Sequence, residues 1–174
     1  MARGLYLVRT DRWYTERATW GLSGLVVLAA TALAALVDPR FVGLVAVTGA
    51  FSVAVALTGY CAMSTALLQL GMPSRLTPSH PRPTLFGRPV YRARTDSWYL
   101  ERGIYLIVGV NLTIASVLTL VHSPWWLLFT GFVGGASLLF AASGFCPVAN
   151  ALYQLGFEPR LGPVARPRNV AAGR

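Results

Sequence analysis

Two cysteines are the residues best suited to chemistry in this chain of 174 residues. Cys61 stands in Gly59-Tyr60-Cys61-Ala62, and Cys146 stands in Gly144-Phe145-Cys146-Pro147, 85 positions later. A thiolate attacks sulfur and carbon electrophiles and binds soft metals, and nearby positive charge favours it over the thiol. Two cysteines are too few for a disulfide framework. No His, Asp or Glu flanks either one, so neither a metal nor a cofactor is expected. Carboxylate pairs, phosphate loops and His clusters are also missing from the pattern, and with them the usual signs of an enzyme. The two cysteines form a candidate thiol site. The plainer alternative is a pair of small, buried, apolar residues.

The offset between the cysteines holds along the chain without a gap. Arg9-Thr10-Asp11-x-Trp13-Tyr14-x-Glu16-Arg17 returns as Arg94-Thr95-Asp96-x-Trp98-Tyr99-x-Glu101-Arg102. Pro39 returns as Pro124, and Arg75-Leu76 as Arg160-Leu161. The chain reads as a tandem duplication: a first repeat over 1–76, a Pro- and Arg-rich linker over 77–93, a second repeat over 94–161 and a basic tail over 162–174. His80, in the linker, reads as a solvated residue.

Composition places both repeats in a bilayer. The chain is 55% hydrophobic and only 12% charged, about half the charged share usual in a soluble domain. Residues 18–37 carry no charge and are long enough to cross the hydrocarbon layer as a helix. Asp38-Pro39-Arg40 turns the chain. A second uncharged run covers 41–70, longer than one crossing, so a helical extension or an interfacial bend is expected beyond Cys61, ending at Gly71. The second repeat predicts a third span over 103–122 and a fourth ending near Cys146, where Pro147 would kink it. The expected fold is an all-α membrane protein with four transmembrane helices, arranged as two parallel-oriented hairpins with short interfacial helices.

Arginine supplies all 15 basic residues, for a net charge of +9. The segments 1–17, 71–102 and 156–174 hold nearly all of them, and the two short turns hold only Arg40. The positive-inside rule then puts both termini and the linker in the cytoplasm. Arginines flanking apolar runs suit anionic lipid headgroups as partners, and nucleic acid is not expected. Arg9, Asp11, Trp13, Tyr14 and Arg17, with Arg94, Asp96, Trp98, Tyr99 and Arg102, read as a duplicated interfacial anchor. Within it Arg12 and Glu16 are spaced as an i,i+4 pair.

The second and fourth spans carry a stripe of small residues: Gly49, Ser52, Ala56 and Gly59, then Gly134, Ser137, Ala141 and Gly144. Small residues let helices approach closely in lipid, so a seam joining spans two and four is expected. Helical spacing puts Cys61 on the face of Ala50, Ala54 and Thr58, and Cys146 on that of Gly135, Leu139 and Ser143, both away from the seam. No acidic residue lies deep in a span, which disfavours a proton-coupled carrier. Asn111 is expected to hydrogen-bond between helices, and His122 lies at the outer end of span three.

With anchor, spans and the closing Gly-Phe-Cys-Pro run assembled, each half resembles the YgaP-like inner-membrane domain, a two-helix family of unknown function. The resemblance covers about residues 9–76 and 94–161, and the second copy keeps the Cys146-Pro147 motif where the first has Cys61-Ala62. Some members are fused to a rhodanese sulfurtransferase domain and pair as dimers. The resemblance therefore implies a covalently joined dimer in a bacterial inner membrane, associated with sulfur chemistry and with a rhodanese-type sulfur carrier as partner. No rhodanese active-site loop occurs in this sequence, so a non-enzymatic role in handling thiol or sulfur species is the leading expectation. The alternative is a structural or accessory subunit of a larger membrane complex.

Overall fold

The computed structural model describes residues 4–76, 84–85 and 87–161. Helix α1 spans Thr15–Leu36, α2 Val42–Thr58, α3 Ala62–Gln69, α4 Leu100–Val121, α5 Trp126–Ser143 and α6 Pro147–Gln154. A single 3-10 turn at Pro39–Phe41 joins the first two, with Asp38 Oδ1 accepting from the Arg40 amide at 2.7 Å. Two-residue strands at Thr84–Leu85 and Arg88–Pro89 pair antiparallel. The four long helices α1, α2 (with its leading turn), α4 and α5 are each long and apolar enough to cross a membrane. The protein is an all-α membrane protein.

Each long hairpin is followed by a break and a short helix. α2 stops because Gly59 takes a left-handed conformation at φ 73°, and α5 stops likewise at Gly144, φ 74°. A side chain is excluded there for a second reason. A Cβ on Gly59 would lie 2.2 Å from the Ala93 carbonyl oxygen, and one on Gly144 would lie 2.3 Å from that of Val8. Those strands cross close because the Gly59 carbonyl accepts from the Ala93 amide and the Gly144 carbonyl from the Val8 amide. The expected kink at Pro147 is therefore replaced by a clean restart. Pro147 opens α6, where its missing N–H costs nothing. Gly71, at φ 89°, follows α3 as foreseen, with Gly71 and Met72 amides turning back to Leu68 and Leu67.

The spans do not pair as the small-residue stripe suggested. α2 packs chiefly along α4, and α1 along α5, so each span lies against one from the other repeat. Gly49 crosses Gly109 and Thr113, and Gly134 crosses Gly24. The seam thus joins spans two and three, and spans one and four. The reason is a second set of small residues, Gly24 and Gly109, on the first and third spans. Antiparallel backbones meet there glycine to glycine, with Thr31 and Thr130 sharing a hydroxyl hydrogen bond of 3.0 Å across one pair.

The segment before α4 also departs from a simple linker. Val90, Tyr91 and Ala93 are buried, and the Tyr91 amide donates to Thr65 Oγ1 on α3. The N-terminal arm mirrors it: the Tyr6 amide donates to Asn150 Oδ1 on α6. Each arm lies on the other repeat's short helix. Residues 77–83 of the linker, His80 among them, residue 86 and the basic tail 162–174 lie outside the described residues.

A Cβ on Gly109 would come within 2.7 Å of the Gly49 carbonyl oxygen and the Val53 amide, whereas one on Gly135 would meet nothing within 4 Å. Gly109→Ala is expected to push spans two and three apart and lower stability by about 1–3 kcal/mol. Gly135→Ala should leave it unchanged. Thermal midpoints of the purified protein in detergent compare the two, and equal midpoints would remove the close crossing as a source of stability.

Candidate functional site

The end of the bundle that carries both cysteines is built around four charged side chains. Glu16 and Glu101 are fully buried, and Arg17 and Arg102 are buried beside them. Each lies in the first turn of a span, where a carboxyl group suits the positive end of the helix dipole. Glu16 Oε1 accepts from Ser74 Oγ at 2.6 Å, the Arg75 amide at 3.0 Å and the Leu76 amide at 2.8 Å. Glu101 Oε1 accepts from the Tyr6 hydroxyl at 2.9 Å, the Arg160 amide at 3.0 Å and the Leu161 amide at 2.7 Å. The expected Arg12–Glu16 pair is not made, because the Glu16 carboxyl group points inward to the chain after α3. The backbone closes the same contact: the Thr15 amide donates to the Pro73 carbonyl and the Leu100 amide to that of Glu158.

The arginines cap helices of the other repeat. Arg17 Nε donates to the Ala141 carbonyl at 2.6 Å, and its Nη2 reaches that of Ala142 at 3.2 Å. Arg102 Nε donates to the Ala56 carbonyl and its Nη2 to that of Leu57. These are carbonyls in the last turns of α5 and α2, which have no partner within their own helix. The remaining nitrogens hold the incoming arms, Arg17 at Thr10 and Arg12, and Arg102 at Thr95 and Ser97. Each guanidinium also stacks on a tryptophan, Arg17 at 4.2 Å from the Trp13 ring and Arg102 at 4.0 Å from Trp98.

The motif expected to anchor at an interface therefore divides. Trp13 and Trp98 stay exposed, as do Arg9 and Arg94. Tyr14 and Tyr99 are buried, and Arg17 and Arg102 hold the two repeats together. Burial pushes the hydroxyls of Tyr14 and Tyr99 up to about 12, against the lowering pull of Arg75 and Arg160. Those two arginines stack on the same rings and reach Asp11 at 3.9 Å and Asp96 at 3.2 Å. Neither Glu16 nor Glu101 stood out in the sequence as a buried hub. The available signal was the joint return of Glu-Arg and Arg-Leu at one offset.

The cysteines lie just after the glycine breaks, off the transmembrane helices. Cys61 precedes α3 and its Sγ accepts from the Ser64 amide at 3.4 Å; Cys146 precedes α6 in the same extended conformation. The faces assigned to them by continuing the second and fourth helices do not apply, because the helical phase is lost at Gly59 and Gly144. Both are free thiols, half-buried against the core. Burial raises the Cys146 thiol above its usual range, opposed by the amides of Ala149 and Val148. The arginine-rich surroundings thus do not make it a standing thiolate.

Cys146 lines a cleft of about 270 Å³ between α4 and α5. Rings of Trp20, Tyr105, Phe129, Phe132 and Phe140 line it together with aliphatic side chains of α4 and α5. Ser52 and Ser137 of the small-residue stripe also line it, with hydroxyls donated back to Thr48 and Val133. Asn111 faces the same cleft. It does not bridge helices as expected, because its Nδ2 donates to the Ile107 carbonyl of its own helix at 2.8 Å. His122 accepts from Trp126 Nε1 at the far turn. Among the described residues no three His, Cys, Asp or Glu side chains gather as a metal site would require. No family model matches the chain, and curated proteins and solved structures give no match either.

Glu101→Ala leaves two amides and the Tyr6 hydroxyl without an acceptor, at about 1–3 kcal/mol each. It is expected to abolish or severely reduce folded yield. Asp96→Ala removes only an exposed ion pair and should leave yield and thermal midpoint close to wild type. Size-exclusion profiles in mild detergent check both, and a normal Glu101→Ala profile would contradict the role given to the buried carboxyl group.

Proposed function

We propose that this multi-pass membrane protein handles thiol or sulfur species without being an enzyme in its own right, with Cys146 as the receiving thiol. The observation that carries the reading is the place of Cys146, at one end of an apolar cleft and outside the helical spans. The chemistry available there is sulfur exchange. The Cys146 thiolate attacks the outer sulfur of a donor persulfide, the donor S–S bond breaks, a new S–S bond forms on Cys146, and the donor leaves as a thiolate that takes up the proton. No external oxidant is needed. Cys61, which does not line this cleft and packs against the core, is assigned to packing.

The resemblance of each half to the YgaP-like domain supports this reading, and with it a bacterial inner membrane, cytoplasmic termini and a rhodanese-type carrier as sulfur donor. Exposed arginines such as Arg9 and Arg94 suit anionic headgroups at that face. A second reading, an accessory subunit of a larger membrane complex, is favoured by the raised Cys146 thiol, which is a poor resident nucleophile.

Two measurements separate these readings. Persulfide-selective labelling and peptide mass spectrometry of native membranes should show a persulfide on Cys146 that rises with an added small-molecule persulfide donor and is lost in Cys146→Ser. Two unmodified thiols under the same treatment would favour the accessory-subunit reading. The pH dependence has a definite sign. Burial favours the neutral thiol, so alkylation of Cys146 by a neutral maleimide should accelerate with rising pH and reach half its plateau above the ordinary cysteine value of about 8.5. A plateau already reached at pH 7 would show a thiolate and a different environment.

A further inference from the structure

The cleft follows two membrane-spanning helices and has the depth of one leaflet. Its wall begins with Cys146, Pro147 and Val148 at the cysteine-bearing end of the bundle, and continues along α4 from Ile104 to Asn111 and along α5 from Phe140 to Phe129. Asn111 stands ~17 Å from the start of α4 at Leu100, against ~15 Å for half the hydrocarbon layer of a bilayer. A volume of about 270 Å³ over that length leaves a cross-section of roughly 16 Å², far too slender for a helix ~10 Å across. Phe132, which lines it, is 69% exposed on a membrane-spanning helix, so the cleft is continuous with the lipid-facing surface. Its wall offers little to a polar ligand. The hydroxyls of Ser52 and Ser137 and the Asn111 Nδ2 are each donated to a carbonyl of their own helix.

We propose that this cleft is the resident site of one phospholipid acyl chain, drawn from the leaflet at the cysteine-bearing end, with the lipid head outside the cleft beside α6. Depth, direction and polarity all match. An acyl chain lies along the membrane normal, as α4 and α5 do, and fills one leaflet. It asks for no hydrogen bond, and the wall has few to give. A partner's helix is too wide to enter and covers the mouth at most. The attraction is close packing, because a chain leaving lipid for an apolar cleft gains no hydrophobic transfer energy. Left empty, the cleft would deprive Tyr105, Val108, Val133 and Phe140 of contacts on one side. A chain enclosed by two helices meets more protein than one lying on the bundle's outer surface, so it outlasts the surrounding lipid. The inference does not rest on sulfur chemistry at Cys146, since a retained lipid is measured without any thiol reaction.

The test moves the full chain from palmitoyl-oleoyl phosphatidylcholine nanodiscs into mild detergent and weighs it by native mass spectrometry. Wild type should keep one phospholipid per chain through washes that strip the rest. Ala136→Phe sets into the cleft wall the ring that the first repeat carries at the matching position, Phe51. It should lower the ratio of lipid-bound to lipid-free protein about tenfold. Leu139→Phe, exposed to lipid outside the cleft, should leave that ratio unchanged. Wild type challenged with equimolar dihexanoyl phosphatidylcholine, the same head on short chains, should keep its long-chain lipid. Wild type that retains no lipid overturns the proposal, and so does equal retention in folded Ala136→Phe. Displacement by the short-chain lipid would also overturn it, by showing that the head and not the chain is held. The two wild-type arms require no variant to fold.

Discussion

Helix ends inside a membrane protein leave carbonyl and amide groups that neither lipid nor the helix can satisfy. This chain meets that constraint with an adjacent Glu-Arg pair at the start of a span. The arginine reaches across to the last carbonyls of a helix from the other repeat, Arg17 to α5 and Arg102 to α2. The glutamate accepts the amides of the segment that follows its own repeat's short helix. Four side chains therefore tie both arms, both glycine breaks and both closing segments into one shelf. Removing one partner from such a set leaves a buried group unsatisfied, so the shelf is all or nothing.

The two halves solve the same problem with different donors. Glu16 takes a hydroxyl from Ser74, and Glu101 takes one from Tyr6. The counterpart of Ser74 is Pro159, which has none to give. The counterpart of Tyr6 is Tyr91, whose hydroxyl has no partner among the described residues. One hydroxyl per carboxyl group is kept while its source has changed. Such divergence is open to a fused pair and closed to a dimer of identical chains, in which both sites change together. The cleft is a larger case: Ala136 lines its wall, and the first repeat carries Phe51 at the matching position. Fusion lets one face become a candidate site while the other stays filled.

The interleaving also explains why the seam joins helices from different repeats. Spans of one hairpin touch less than spans of opposite hairpins, because the glycine pairs Gly24–Gly134 and Gly49–Gly109 let those backbones approach. Arms and arginine caps cross in the same direction. One repeat alone would expose two glycine faces and one uncapped helix end, so each half depends on the other for its folded form.

Much of this was legible from residues alone. Uncharged runs bounded by arginines and by the turns at Pro39 and Pro124 set the four spans, because a bilayer demands length and apolarity whatever lies beside the helix. The offset of 85 announced two equivalent halves, and Gly71 announced the stop after α3, because a left-handed residue is a local demand; Gly59 and Gly144, read as members of the packing stripe, are breaks that only the structure reveals. Partner choice was decided only by the tertiary structure. A stripe such as Gly49, Ser52 and Ala56 says that a backbone comes close, not whose, since every span is equally apolar and lipid supplies no inside or outside to orient it. The same gap hid Glu16 and Glu101: at the edge of a span a charged side chain is ordinarily solvated, and only the folded arms 60–76 and 145–161 reveal that these two are enclosed. The cleft beside Cys146 had no sequence signal, because it is made by rings from α1, α4 and α5 that meet only once the helices are interleaved.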